Sequence, residues 1–221
     1  RREWLKIARA VIASIVRGRL SEDADERLGW LLIVATIPVG LLGLLFEKAV
    51  RALFASALLA SLFLLINGAV MFLGEALRRR QLSVEHRSDR PLTKLSWAQA
   101  LAVGIGESFA LLPGISRSGA AMVASLLCDL DHQDAARYSF MLATPVILAA
   151  ALLKVPDLFR AGAHFALVES LLGGVISGIA AYLSVAFLTR YFRNNDLRPF
   201  GWYCVLLGAL GSVLALKGII S

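Results

Sequence analysis

The sequence GESFALLPGISRSGAAM, from Gly106 to Met122, places charged and hydroxyl side chains inside a strongly apolar region. An arginine inside a bilayer costs about 2.5 to 3.5 kcal/mol on insertion scales, so it is usually paired or functional. Its planar guanidinium group binds two phosphate oxygens at once. Arg117, flanked by the hydroxyls of Ser116 and Ser118, therefore predicts a site for a phosphate group.

The residues around Arg117 predict a tight turn between two short helices. Pro113 is expected to end the first helix, and Gly114 and Gly119 permit tight backbone turns. A second helix is predicted to begin at about Ser118, because serine is a favourable N-cap. Backbone N–H groups at a helix start bind anions. The predicted phosphate-binding residues are Gly114, Ser116, Arg117, Ser118 and Gly119.

Glu107 lies ten residues before Arg117 and has three open roles. It is an ion-pair partner of Arg117, a metal ligand or a general base, and a single carboxylate does not distinguish these roles. As an ion pair, Glu107 and Arg117 would hold this region together in the resting state. The candidate catalytic residues are Arg117, Ser116, Ser118 and Glu107, and the metal ligands are unknown.

Other polar side chains give weaker signals. Glu75 is expected to pair with Arg78, and Asn67 is a further polar candidate in the same apolar run. The three histidines lie in predicted loops without the spacing of metal ligands and are expected to be solvated surface residues; they are His86, His132 and His164. Cys128 and Cys204 are predicted to be packing residues.

The composition is that of a polytopic membrane protein. The chain has 221 residues, of which 58% are hydrophobic and 18% charged, and its mean hydropathy is +0.71. The net charge of +7 comes from short basic clusters between apolar runs, which is the distribution of topology signals. We therefore expect no nucleic-acid partner.

Hydrophobic length predicts an all-α protein with about five spanning helices in a single membrane domain, residues 1–221. About 20 apolar residues cross a bilayer as a helix. The predicted spans are Leu28–Phe46, Ala52–Leu77, Tyr138–Leu153, Phe165–Leu188 and Phe200–Ile220. Residues 1–20 are basic and predict either a surface helix or the end of a span. Glycine pairs at 40/43, 174/178 and 208/211 predict close helix approach.

The basic clusters assign the sides of the membrane. Residues 1–20, 78–94 and 190–198 are predicted to be cytoplasmic, which puts the loops at Glu47–Arg51 and Lys154–His164 outside. The segment from about 96 to 128 then begins and ends on the cytoplasmic side. Its two apolar pieces are each too short to cross, so it predicts a re-entrant helix-loop-helix hairpin whose tip faces a polar cavity.

The motif ALLPGISRSGAAM, followed by RYSFMLATPVILAAALLK, resembles the undecaprenyl pyrophosphate phosphatase family, the bacitracin-resistance phosphatases of the bacterial inner membrane. The resemblance covers essentially the whole chain. It implies a multi-pass hydrolase that removes the terminal phosphate of a C55 isoprenyl pyrophosphate and so recycles the lipid carrier of peptidoglycan synthesis. It also implies an inverted-repeat fold and a divalent metal, magnesium or calcium. A homodimer is left open.

The resemblance also implies roles for individual residues. Arg117 would bind the phosphate and stabilise the transition state, with Ser116, Ser118, Gly114 and Gly119 around it. The family's glutamate-rich segment and its serine, threonine, glycine and histidine stretch do not occur here, so we expect a first hairpin and one span upstream of Arg1. Many family members carry an uncharged polar residue where Glu107 stands.

Two other classes of function remain as alternatives. One is a carrier or flippase for phosphorylated isoprenoid lipids, because inverted broken hairpins with a midplane anion site are also a transporter architecture. The other is a non-catalytic membrane scaffold, in which Arg117 is an internal salt bridge.

Overall fold

The structure is a computed structural model that describes residues 2–21, 23–83, 89, 91–160 and 164–220. These residues form nine α-helices and no strand. The helices are α1 Arg2–Arg17, α2 Ala24–Leu45, α3 Glu47–Leu53, α4 Ala57–Ser83, α5 Trp97–Ser108, α6 Arg117–Leu127, α7 His132–Arg160, α8 His164–Tyr191 and α9 Arg198–Leu216. Two short 3₁₀ turns, Leu92–Lys94 and Phe109–Leu111, precede and follow α5.

Five helices are long and apolar enough to span a membrane, which confirms the predicted all-α polytopic class. They are Ala24–Leu45, Ala57–Ser83, His132–Leu153, Glu169–Tyr191 and Arg198–Leu216. Helix α2 begins four residues before its predicted span, because the side chain of Asp23 accepts a hydrogen bond from Asp25 N and caps the helix.

The predicted loop at Glu47–Arg51 is wrong, since these residues belong to α3. The sequence EKAVRAL consists largely of good helix formers. An ion pair of 2.5 Å between Arg51 Nη2 and Glu47 Oε1, one turn apart, further favours the helix. The connection between α2 and α4 is therefore a short helix.

Helices α4 and α9 form the most extensive helix pair. Gly208 lies against Leu65, and Gly211 lies against Ser61, so this predicted pair of glycines does bring two helices together. The prediction of close approach is wrong at Gly40, Gly174 and Gly178. At these three positions nothing described lies within 4 Å of where a Cβ would stand.

Helices α5 and α6 are too short to span, with 12 and 11 residues. Their outer ends lie together, because Gln99 Nε2 donates a hydrogen bond of 3.2 Å to Cys128 O. Arg27 at the start of α2 donates to the carbonyls of Thr93 and Leu95, both at 2.8 Å. The pair α5–α6, hereafter the hairpin, thus begins and ends at the same end of the molecule as the start of α2.

At this end of the molecule, hereafter the basic end, a buried polar cluster joins α4, α7 and the start of α9. Glu75 Oε1 lies 2.6 Å from His132 Nε2 and accepts a hydrogen bond of 3.0 Å from Leu197 N. Two expectations are therefore wrong: His132 is not a free surface residue, because its side chain is only 24% exposed and contacts Glu75, and Glu75 does not pair with Arg78, which instead pairs with Asp89. His86 and the side chain of His164 lie outside the described residues.

Candidate functional site

The tip of the hairpin is fixed by close contact with α4. Helix α5 ends at Ser108, five residues before Pro113, and a 3₁₀ turn continues the chain. Pro113 is therefore not the residue that ends the α-helix, as the sequence predicted. Gly114 has a φ of +88°, and a Cβ there would overlap the carbonyl oxygen of Ala60. Only glycine adopts this conformation at such a close approach without strain.

Helix α6 begins one residue earlier than predicted. Ser116, rather than Ser118, is its N-cap, and Ser116 Oγ accepts a hydrogen bond of 3.2 Å from Gly119 N. The backbone carbonyl of Ser116 accepts from Ala120 N at 2.8 Å. The first N–H groups of a helix lack partners within it. An anion at this end of α6 would therefore meet the N–H groups of Arg117 and Ser118.

The Arg117 side chain contacts both α5 and α7. Its Nη1 donates a hydrogen bond of 3.2 Å to the carbonyl of Ala143 in α7 and lies 3.9 Å from Glu107 Oε1. The Arg117 side chain is 32% exposed, whereas that of Glu107 is 1% exposed. Neither carboxylate oxygen of Glu107 has a hydrogen-bond partner among the described residues. Of the three roles open to Glu107, the ion pair is the one for which a contact is present.

Ser116 and Ser118 face a different space from Arg117. Their hydroxyl oxygens are 3.5 Å apart and border a cavity of about 50 Å³, which Arg117 does not line. The other lining side chains are mainly aromatic and sulfur-containing: Met71, Met122, Phe140, Phe192 and Phe200. The structure thus brings the two serines together, and Arg117 together with Glu107, but not all four side chains into one cradle.

Asn67 connects the tip to two spanning helices, a role that the sequence alone did not reveal. Its Oδ1 accepts a hydrogen bond of 3.3 Å from Ser116 N, and its Nδ2 donates to Cys204 Sγ at 3.2 Å. Asn67 is only 2% exposed. The available signal was an amide side chain in the middle of an apolar run. Its partners, 49 and 137 residues away, could not be read from local spacing.

An apolar cavity of about 380 Å³ lies between α4 and the hairpin, next to the tip. Ile115, the residue before Ser116, is part of its wall, and Asn67 also lines it. The remaining lining residues are almost all aliphatic or aromatic and include Phe63, Ile66, Val70, Phe109, Leu112 and Val123. A cavity of this composition accommodates a hydrocarbon chain beside the polar tip.

The described residues offer no complete set of metal ligands. Among them, no group of three or more histidine, cysteine, aspartate or glutamate side chains could hold a metal ion. Glu107 is the buried carboxylate near the tip, and the guanidinium of Arg117 lies beside it. A cation next to this guanidinium would be repelled, so the residues in this part of the chain do not fit a protein-held metal.

Comparison with known proteins matches the chain to one family over nearly its full length. The family model described as "Bacitracin resistance protein BacA" matches residues 1–210. "Undecaprenyl-diphosphatase 2" of Chromobacterium violaceum is 44% identical over 220 residues, covering 98% of this chain and 76% of that protein. "Undecaprenyl-diphosphatase" of Acidiphilium cryptum is 44% identical over 220 residues, covering 96% and 75%. The chain therefore belongs to the bacitracin resistance protein BacA family.

Proposed function

We propose that this protein hydrolyses the terminal phosphate of undecaprenyl pyrophosphate, giving undecaprenyl phosphate and inorganic phosphate. The observation that carries the proposal is the position of Arg117, a half-buried arginine that is the first residue of a short helix. The relatives of this chain bear the name undecaprenyl-diphosphatase. The reaction regenerates the lipid carrier of peptidoglycan precursors, and its setting is the bacterial inner membrane.

The proposed role of Arg117 follows from the charge of the reaction. Phosphoryl transfer to water needs mainly positioning and neutralisation of the oxygens on the transferred group. The guanidinium supplies a bidentate cation, and the N–H groups of Arg117 and Ser118 at the start of α6 add backbone donors. Ser116 keeps that helix end in place through its cap to Gly119.

The hydroxyls of Ser116 and Ser118 contribute more indirectly in this proposal. They border the small cavity beside Met71 and Phe140, which the guanidinium does not line. We assign Ser116 to holding the helix start and Ser118 to contact with a phosphate oxygen through its backbone N–H. Gly114 and Gly119 provide the tight turns around them.

The apolar cavity beside the tip supports a lipid substrate. Ile115, two residues before Arg117, is part of its wall. We therefore infer that the hydrocarbon tail of a pyrophosphate lipid bound at Arg117 enters this space. The volume of about 380 Å³ accommodates only the first isoprene units, and the rest of the chain would lie in the bilayer. We therefore expect a lipid pyrophosphate to be a far better substrate than inorganic pyrophosphate.

The divalent metal, magnesium or calcium, that the family resemblance implies stays a prediction. The described residues do not hold it by themselves. The steps assigned to Arg117, to the helix start and to the apolar cavity involve only groups of this chain and the substrate.

Phosphate release by the purified protein in detergent tests the proposal. We expect release of one phosphate per isoprenyl pyrophosphate, and a rate at least about a hundredfold lower in Arg117→Lys, because lysine keeps the charge but loses the planar fork. The matched control is Arg193→Gln, which removes an exposed cation between α8 and α9 and should leave the rate unchanged.

Other outcomes separate the alternatives. Transfer of labelled isoprenyl pyrophosphate between the leaflets of proteoliposomes without phosphate release would support the carrier and overturn the phosphatase. Equal rates for Arg117→Lys and the unaltered protein would exclude Arg117 from the reaction. No phosphate release by the unaltered protein, together with a lower melting temperature of Arg117→Lys, would support the scaffold.

A further inference from the structure

Helix α1 presents three distinct faces. The first packs on α2: Ile7 and Val11 lie against Gly29, and Trp30 Nε1 donates a hydrogen bond of 2.8 Å to Ser14 Oγ. Near the end of α1, Arg17 Nη2 forms an ion pair of 2.5 Å with Glu26 Oε2. Ile7 and Ser14 are 1% and 3% exposed, so this face is fully used by the fold.

These contacts place α1 across the end of α2. On α1 these contacts extend from Ile7 to Arg17, a helix length of about 15 Å. On α2 they involve only residues 26–30, a helix length of about 6 Å. Two helices that run side by side would contact each other over equal lengths. Since α2 spans the membrane, α1 lies near the membrane plane at the basic end of the molecule.

The two outward faces of α1 suit a membrane surface. Leu5, Ile12 and Val16 form an apolar stripe and are 57%, 61% and 82% exposed. Lys6 and Arg9 are also exposed and lie beside this stripe on the helix surface. A helix that lies in the membrane plane and carries adjoining apolar and basic stripes buries its apolar stripe among the acyl chains. Its basic stripe then faces the lipid headgroups.

A cavity of about 270 Å³ adjoins the C-terminal end of α1. It is lined by Gly18, Arg19, Leu20, Trp30 and Trp97. Tryptophan is enriched at the level of lipid headgroups, and arginine binds phosphate oxygens. Among the described residues nearby, two acidic side chains are already engaged: Glu26 binds Arg17 and Ser21, and Asp23 caps α2.

We propose that α1 and this cavity form a binding site for an anionic phospholipid of the bilayer, with the headgroup phosphate at Arg19 and with Lys6 and Arg9 adding positive charge. The site is separate from Arg117, so the proposal does not depend on the phosphatase activity. The negative charge of the lipid complements the basic stripe, and the two tryptophans contact its glycerol and upper acyl region.

Tryptophan quenching by brominated lipids tests the proposal in reconstituted protein. All variants carry Trp202→Phe, which leaves Trp30 and Trp97 in the lining of the cavity and Trp4 near the start of α1. We expect brominated phosphatidylglycerol to bind at least about fivefold more tightly than brominated phosphatidylcholine, as for one basic residue near an anionic lipid surface. The ratio should fall towards one in Lys6→Gln/Arg9→Gln/Arg19→Gln.

The matched control is Arg80→Gln/Arg190→Gln/Arg193→Gln, which removes the same charge from the same end of the molecule but away from α1. It should keep the preference for phosphatidylglycerol. A ratio near one in the Trp202→Phe protein, or an equal fall in both triple variants, would overturn the proposal. So would displacement of the brominated phosphatidylglycerol by much lower concentrations of isoprenyl pyrophosphate, because the site would then belong to the substrate.

Discussion

At the scale of single residues, the notable feature is a buried carboxylate with one charged neighbour. The Glu107 side chain is 1% exposed, and its closest cation among the described residues is Arg117 at 3.9 Å, beyond hydrogen-bond distance. A buried charge without hydrogen bonds is costly, so the attraction of the guanidinium has to offset the loss of hydration. The pair restrains Arg117 in the resting protein and leaves its remaining N–H groups for a phosphate.

The substitution Glu107→Gln separates the ion-pair role of this side chain from the general-base role. If Glu107 only restrains Arg117, we expect phosphate release within about fivefold of the unaltered protein, because the amide oxygen still faces the guanidinium. A general base would lose about a hundredfold or more. The measurement is kcat and KM for an isoprenyl pyrophosphate.

Glu107→Leu is the companion variant for this test. We expect it to lose at least about a hundredfold in kcat, since an apolar side chain leaves Arg117 unrestrained beside a hydrophobic wall. Full activity in Glu107→Leu would mean that Glu107 has no part in positioning Arg117.

At the scale of elements, the hairpin tip is held by backbone contacts rather than by side-chain bulk. Gly114 fits against the Ala60 carbonyl, and Asn67 binds the N–H of Ser116. Both contacts come from α4, and Asn67 also reaches α9 through Cys204. The depth of the tip is thus set by the helix pair α4–α9, and this determines where Arg117 lies.

Replacing Gly114 tests this account of the tip. In Gly114→Ala, the positive φ and the overlap with Ala60 together are expected to lower the free energy of unfolding by about 2 to 5 kcal/mol. Phosphate release should fall as well, because the start of α6 shifts. Thermal unfolding in detergent and the rate of phosphate release are the two measurements.

Gly218→Ala is the matched control for the backbone conformation. Gly218 has a φ of +68°, but nothing described lies within 4 Å of where its Cβ would stand. It should therefore show only the conformational cost of about 1 to 2 kcal/mol and normal activity. Equal destabilisation by the two substitutions would mean that the contact with α4 does not matter.

At the scale of the whole molecule, polar contacts concentrate at the basic end. Glu75 of α4 contacts His132 of α7 and the backbone of Leu197, just before α9. Arg79 forms an ion pair of 3.2 Å with Asp196 nearby. Apolar helices in lipid gain little from the hydrophobic effect, so such contacts help to select which helices pack together. The homodimer stays a prediction at this scale.

Glu75→Ala should weaken the assembly of the helices. We expect the free energy of unfolding to fall by about 3 kcal/mol, because the substitution leaves the buried Leu197 N–H without an acceptor and His132 without its partner. The melting temperature in detergent measures the effect. Glu47→Ala is the control, since it breaks an exposed ion pair with Arg51 and should cost at most about 0.5 kcal/mol. Similar losses in both variants would contradict a special role for Glu75.

The sequence by itself determined the membrane class and the five spans, because hydrophobic length is a local signal. It also singled out the SRSG region as the candidate site, because an arginine among apolar residues is a local signal too. It also identified Arg117 and Glu107 as possible partners. It did not reveal that Ser116 caps α6, that Asn67 holds the tip or that Glu75 binds His132. The contacts of Asn67 and Glu75 join residues far apart in the chain, and only helix packing brings them within hydrogen-bond distance. The Ser116 cap is local, but the two serines at 116 and 118 left its position ambiguous in the sequence. Helix packing also decided that the two serines border a cavity that Arg117 does not line, since residues of α4, α7, α8 and α9 form its wall.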